Sequence, residues 1–206
     1  DDVRQAETQI LRGLKRCSLR EWRLAVSKHH KRSYRHTLHV TGYAVAFAQH
    51  LGMRDEDQRR LVRAALVHDV GKAFIPVDVL DKAGALTAEE EQILAGHTRL
   101  GHDALAQQGD FPGEMLDVVL PHHEMLDGTG YPDGLRAEQI SDIVRIVTLA
   151  DTYASLLEAD AETPAMTPTQ AFAIMELMGP KLDGPLLQAF RPVAFGAWPD
   201  PSSRHG

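Results

Sequence analysis

The chain has 206 residues, 43% hydrophobic and 25% charged, enough for one self-supporting core and unlike disorder, collagen or coiled coil. Its 22 Lys+Arg against 29 Asp+Glu leave a net charge of −7, which argues against a DNA-binding or anionic-membrane surface. Eleven histidines beside one cysteine, Cys17, set the question. Histidine is the commonest transition-metal ligand, whereas a lone cysteine builds neither a zinc-thiolate site nor an intrachain disulfide.

The N-terminal Asp1-Asp2-Val3-Arg4 has no signal-peptide core, and no run approaches the ~18 apolar residues of a membrane span. The expectation is a cytoplasmic protein with no membrane insertion of this segment. Residues 2–16 and 19–30 read as polar-faced helices that pack on the core or form a coupling stalk, and the missing initiator Met favours the stalk. Val40, Tyr43, Ala44, Phe47 and Leu51 follow helical spacing over 35–51, closed by Gly52. Residues 55–69 run from acidic (Asp55, Glu56, Asp57) to apolar (Leu61, Ala64, Ala65, Leu66, Val67), a helix whose end is buried. Thr87-Ala88-Glu89-Glu90 is a capping box opening a helix to about 107, broken near Gly96. Further helices cover 113–121 and 142–158, with a Gly/Pro-rich loop between them; others run from Pro168 to Met178 and from Leu186 to Phe190. Strand signals are scarce, so the expected fold is all-α, an irregular helical bundle. The domain division is 1–32 for the N-terminal helices, 33–192 for the catalytic domain and 193–206 for a tail.

Three features carry chemistry. His68-Asp69 sits at the buried end of a helix, His122-His123-Glu124 opens the glycine-rich loop, and Asp151 lies inside an apolar helix with Ile146, Leu149 and Ala150. A single buried histidine is usually a hydrogen-bonded core residue. All three features in one chain are harder to explain that way, because a buried carboxylate costs several kcal/mol without a partner and metal coordination offsets that cost.

The string His68-Asp69-Val70-Gly71-Lys72 resembles the HDxGK heart of the HD phosphohydrolase superfamily. His122-His123-Glu124-Met125-Leu126-Asp127-Gly128-Thr129-Gly130-Tyr131-Pro132 resembles the HHExxDGxGYP signature of its HD-GYP branch. Ile75-Pro76, Val79-Leu80, Lys82, Leu86-Thr87, His97, Arg145-Ile146 and Asp151 fit as well, so the resemblance covers roughly 33–190. It implies a helical domain that hydrolyses cyclic di-GMP to pGpG, and onward to GMP, through a hydroxide bridging two metals. By position, one metal would take His36, His68, Asp69 and Asp151, and the other Asp69, His97, His122 and His123. Mixed imidazole and carboxylate donors suit divalent iron or manganese rather than magnesium or calcium. Lys72 would reach a phosphate oxygen; outside the motif it would read as a solvated lysine at a helix C-terminus. Glu124 and Asp127 would orient ligands or loop, with Gly130, Tyr131 and Pro132 shaping the turn. The GYP loop is either a structural turn or a contact for partners such as a diguanylate cyclase, and an upstream sensor or receiver domain would supply the regulatory input.

The chain also departs from the family. Arg32 stands four before His36, where three-metal members carry an acidic residue, so a binuclear centre is expected. Ala154 replaces an aspartate, and His39 an arginine. Asp160-Ala161-Glu162-Thr163 stands where relatives carry a basic stretch that grips the dinucleotide, which weakens the match to a dianionic substrate. Two alternatives therefore stay open: a metal-dependent phosphohydrolase of another nucleotide or phosphoester, and a non-catalytic signalling or binding module. Of the other histidines, His29 and His30 read as part of a solvated basic face, and His50, His102 and His205 have no evident partner.

Overall fold

The computed structural model describes residues 29–109, 111–159 and 164–196. Most of the two expected N-terminal helices, Asp160–Thr163, and the tail beyond Gly196 lie outside these residues. The regular elements among the described residues are all helical, with one isolated antiparallel bridge between Asp127 and Arg136.

Helix α1 (Lys31–His50) starts four residues before the expected position because His30 caps it: the His30 Nδ1 accepts from the Ser33 N–H at 3.2 Å. With Nδ1 accepting, the His30 Nε2 carries the proton and donates to Asp81 Oδ1 at 2.7 Å. His29 and His30 are therefore not a solvated face. His30 is buried, and the His29 Nε2 lies 3.0 Å from the Ile75 carbonyl, because the start of α1 packs on the 75–81 segment.

Helix α2 (Asp55–Val67) places its three acidic residues in the first turn, where the helix dipole favours them, and buries Leu61, Ala64, Ala65 and Val67. It ends at His68, and a tight 3₁₀ turn (Val70–Phe74) follows. A one-turn helix α3 (Val77–Leu80), not legible as a helix in the sequence, begins after Pro76. The Thr87/Glu90 capping box opens α4 (Ala88–Ala95), and the break near Gly96 separates it from α5 (His97–Gln108). Next come α6 (Gly113–Val119), α7 (Asp142–Leu157), α8 (Pro168–Leu177) and α9 (Gly184–Ala194). The last is longer than expected, because Asp183 caps it and the apolar stripe continues from Phe190 to Val193 and Ala194.

Helix α1 packs against α2 and α7, with α8 and α9 closing the far side. Tyr43, Phe47, Tyr153 and Phe190 meet edge-on in this core, with ring centroids 5.0 Å apart for Tyr43–Tyr153 and 5.1 Å for Phe47–Phe190. A smaller core of Val67, Val70, Ala104, Leu105, Met115 and Val119 joins the end of α2 to α5 and α6. Arg145 ties the start of α7 to its surroundings, donating to the Ile140 carbonyl at 2.9 Å and to the α9 cap Asp183 at 2.8 Å.

One close approach positions the centre of the molecule. A Cβ on Gly71 would sit 1.8 Å from the His97 carbonyl oxygen and 2.7 Å from the Gly101 nitrogen. Only glycine lets the turn after Asp69 lie against the backbone of α5. Gly71→Ala is therefore expected to destabilise the fold by about 1–3 kcal/mol in urea denaturation, through forced backbone movement. Gly42→Ala, inside α1 with open space around its Cβ, is the control and should stabilise by about 1 kcal/mol.

Candidate metal centre

The seven candidate ligands come from five separate segments and converge on Asp69. Asp69 Oδ2 lies 3.8 Å from His36 Nε2 and 3.5 Å from His68 Nε2. Its Oδ1 lies 3.2 Å from His97 Nε2 and 3.7 Å from His122 Nε2. The structure thus forms two donor groups, His36–His68–Asp69 and Asp69–His97–His122–His123, each with donor atoms within 4.8 Å of one another. Asp69 belongs to both. Asp151 reaches both groups too: Oδ1 is 2.8 Å from His36 Nε2 and 4.0 Å from His68 Nε2, while Oδ2 is 3.5 Å from His123 Nδ1. The sequence assigned Asp151 to the first group alone; its second oxygen faces the other.

Backbone geometry fixes which nitrogen of three histidines faces inward. His68, His97 and His122 each place Nδ1 against the carbonyl three residues earlier, those of Ala65, Leu94 and Val119, at 2.8, 2.6 and 2.8 Å. A carbonyl only accepts, so each Nδ1 carries a proton, and the neutral form of each ring has its Nε2 lone pair toward Asp69. That is the tautomer a metal ligand needs.

The resulting arrangement lacks protons where it needs them. His97 Nε2 and His122 Nε2 face each other at 3.3 Å, both beside the Asp69 carboxylate. His68 Nε2 and Asp69 Oδ1 are buried without a well-aligned hydrogen-bond partner. Buried, convergent lone pairs are costly unless a cation lies among them. The donor set therefore fits divalent transition-metal ions.

Electrostatics keep these donors in their binding form. Burial pushes the His68 imidazole down to about 4, against the pull of Asp69, and also lowers His97 and His123. Burial would raise the Asp69 carboxyl, but Lys72 and His68 hold it well below the usual carboxylate range. Asp151 is held low in the same way, mainly by its hydrogen bond to His36. His36 differs from the other rings. Burial opposes its charge, yet hydrogen bonds to Asp151 and Glu158 outweigh burial and raise it to about 9. In the metal-free protein a proton holds His36 between the two carboxylates.

The remaining sequence candidates have clear places. Lys72 is not a solvated helix-end lysine: its side chain is 18% exposed, and Nζ donates to Asp69 Oδ2 at 2.6 Å. The Glu124 carboxylate is buried and accepts from the Asp133 and Leu135 N–H groups at 2.6 and 2.9 Å, holding the glycine-rich loop rather than the cluster. Asp127 accepts from the Thr129 N–H at 3.0 Å and stays at the surface. A Cβ on Gly130 would come within 2.3 Å of the Met125 nitrogen, so glycine is required there. Tyr131 lies over His123 with ring centroids 4.8 Å apart, and Pro132 follows it. His39, half exposed, contacts Glu158 at 3.0 Å, and His102 pairs with Asp103 at the surface.

Glu158 escaped the sequence reading. It follows the last residue of α7, and its Oε2 lies 3.3 Å from His36 Nδ1. The pair completes a carboxylate–histidine arrangement that aims Nε2 inward. The only sequence signal was its spacing of seven residues from Asp151, two turns along one helix face. Glu158→Gln is expected to weaken Mn²⁺ affinity about 10- to 100-fold in chelator-competition titrations without changing the circular dichroism spectrum. An unchanged affinity would remove Glu158 from the site.

Comparison with known proteins gives the family to which this chain belongs. The HD domain family model matches residues 22–186. The chain is 40% identical over 138 residues to the cyclic di-GMP phosphodiesterase response regulator RpfG of Xanthomonas campestris, covering 66% of this chain and 36% of that protein. It is 36% identical over 141 residues to the 3'3'-cGAMP-specific phosphodiesterase 3 of Vibrio cholerae, covering 68% of this chain and 30% of that protein. The chain thus spans about a third of the length of these relatives. Among solved structures, Bd1817, a HDG"Y"P protein from Bdellovibrio bacteriovorus, superposes with a TM-score of 0.67 at 22% identity, over 80% of this chain and 52% of that one. The HD domain of the L. monocytogenes phosphodiesterase PgpH, in complex with cyclic-di-AMP, gives 0.64 at 15% identity, over 85% and 95%. With its two histidine groups joined at the His-Asp pair, and the family match running through every one of those ligands, the chain belongs to the HD domain family.

Proposed function

We propose that this domain is a binuclear metal-dependent phosphodiesterase that opens cyclic di-GMP to pGpG, and further to GMP. The observation that carries the reading is Asp69, whose two oxygens face two separate groups of imidazoles, with Nδ1 of His68, His97 and His122 held on backbone carbonyls. One divalent ion would take His36, His68, Asp69 and Asp151, and the other Asp69, His97, His122 and His123, with iron or manganese suiting these donors. Such a pair, when bound, would supply a nucleophile at neutral pH and would neutralise charge developing on the phosphoryl oxygens. The names of the relatives from X. campestris and V. cholerae support a cyclic dinucleotide as substrate.

The chain's own residues do the positioning. A cleft of about 290 Å³ opens beside the centre, lined by Arg32, His36, Lys72, Lys82 and Glu158 among others. Lys72 holds Asp69 and borders this cleft, where its ammonium can also meet a phosphoryl oxygen. The Tyr131 ring covers one side of His123. Residues 33–192 are assigned as the catalytic domain. We place it in the cytoplasm; no helix among the described residues is long and apolar enough to cross a membrane. An upstream sensor or receiver domain acting through residues 1–32, and a cyclase contact at the GYP loop, complete the reading; the X. campestris relative is named a response regulator.

A second reading, hydrolysis of another phosphoester by the same centre, is favoured by Asp160 and Glu162, which put anions where the family resemblance expects cations. One assay separates the two. Protein loaded with Mn²⁺ or Fe²⁺, at about two ions per chain, should release pGpG from cyclic di-GMP and stop in excess EDTA. Asp69→Ala should lose metal and activity, on the order of a hundredfold or more. Hydrolysis of bis(p-nitrophenyl) phosphate alone would favour the second reading, and no turnover of either ester at full loading would overturn both.

A further inference from the structure

The cleft beside the metal centre contains several basic side chains, and nearly all are already committed. Lys72 donates to Asp69 at 2.6 Å, Lys82 pairs with Glu90, and His30 donates to Asp81 at 2.7 Å. His36 is held between Asp151 and Glu158. Arg32 is the exception. Its side chain is half-buried and lines the same cleft, and among the described residues it makes no ion pair or hydrogen bond. Guanidinium groups seldom stay half-buried without a planar anionic partner, because their five donors lose water and gain nothing.

Position adds to the argument. Arg32 and His36 are four residues apart on α1, so they share a face, with Arg32 one turn, about 6 Å along the axis, from the ligand histidine. An anion bound at the metal centre would leave this guanidinium facing whatever extends along the cleft. A cyclic dinucleotide carries two phosphodiesters, and only one reacts at a time. We propose that Arg32 binds the second, non-reacting phosphodiester and so makes the domain selective for substrates that carry two. This inference rests on the phosphodiesterase reading and names the residue that orients the substrate in it. It also gives a positive role to the residue that the sequence identified only as an obstacle to a third metal. A bidentate arginine–phosphate contact of this kind strengthens binding by about tenfold or more.

The test compares cyclic di-GMP with the linear dinucleoside monophosphate GpG, which has the same bases and a single phosphodiester. In Mn²⁺-loaded protein, Arg32→Ala should lower the ratio of kcat/KM for cyclic di-GMP over GpG about tenfold, chiefly through KM, and Arg32→Lys should recover part of it. Calorimetric titration of EDTA-treated protein, which cannot turn over, should show the same fall in the ratio of the two affinities. A ratio unchanged in Arg32→Ala, with wild-type protein cleaving cyclic di-GMP, overturns the inference and leaves the phosphodiesterase reading standing. Parallel loss on both substrates also overturns it, since Arg32 would then act on the centre or the fold. Wild-type protein that cleaves GpG but not cyclic di-GMP, or neither, overturns the substrate reading and the inference with it.

Discussion

An ionised carboxylate at 2% exposure is the constraint around which this molecule is built. Taking Asp69 out of water is unfavourable by several kcal/mol unless charge and hydrogen-bonding groups surround it. Each nearby element supplies part of that compensation. The 3₁₀ turn brings Lys72 back onto Oδ2, α1 brings His36, and the starts of α5 and of the glycine-rich loop bring His97 and His122. Helix α7 brings Asp151, which adds negative charge and makes the demand for a cation greater. The bundle is irregular because its helices are arranged around this point as well as around an apolar core.

Much of this was legible in the sequence, for identifiable physical reasons. Helices α2, α4 and α7 carry acidic first turns, a capping box and a continuous apolar stripe, all of which are local signals. The break at Gly96 followed from composition, His68, Asp69, His122 and His123 from two motifs that resemble the HD-GYP pattern, and His36, His97 and Asp151 from their positions around those motifs. Contacts made only by folding were not legible. His36 and Asp151 are 115 positions apart, and only the packing of α1 on α7 shows that they touch. The burial of His30 depends on Asp81, 51 positions away, so a basic run looked like solvated surface. Glu158 lies just past the end of α7, and its value comes from the histidine opposite rather than from its own neighbours.

The glycine-rich loop shows how a string that looks like a flexible turn becomes rigid. Glu124 accepts two backbone N–H groups from the far side of the loop, and the Tyr131 N–H donates back to the His123 carbonyl at 3.2 Å. Close contact at Gly130 leaves no room for a side chain, so the loop folds down on the residues that open it. The tyrosine ring is thereby carried over His123, and the loop forms one wall of the centre.

The three carbonyls that orient His68, His97 and His122 belong to Ala65, Leu94 and Val119, which lie in the last turns of α2, α4 and α6. Last-turn carbonyls have no partner within their own helix. Each imidazole therefore acts as the stop of the helix before it, and secondary structure sets the proton inventory of the centre before any ion arrives. An incoming cation meets lone pairs already turned inward at these three positions. Little entropy remains to be lost there, whereas at His36 a proton must leave. The punctuation of the fold and the readiness of the site are, in this molecule, the same set of hydrogen bonds.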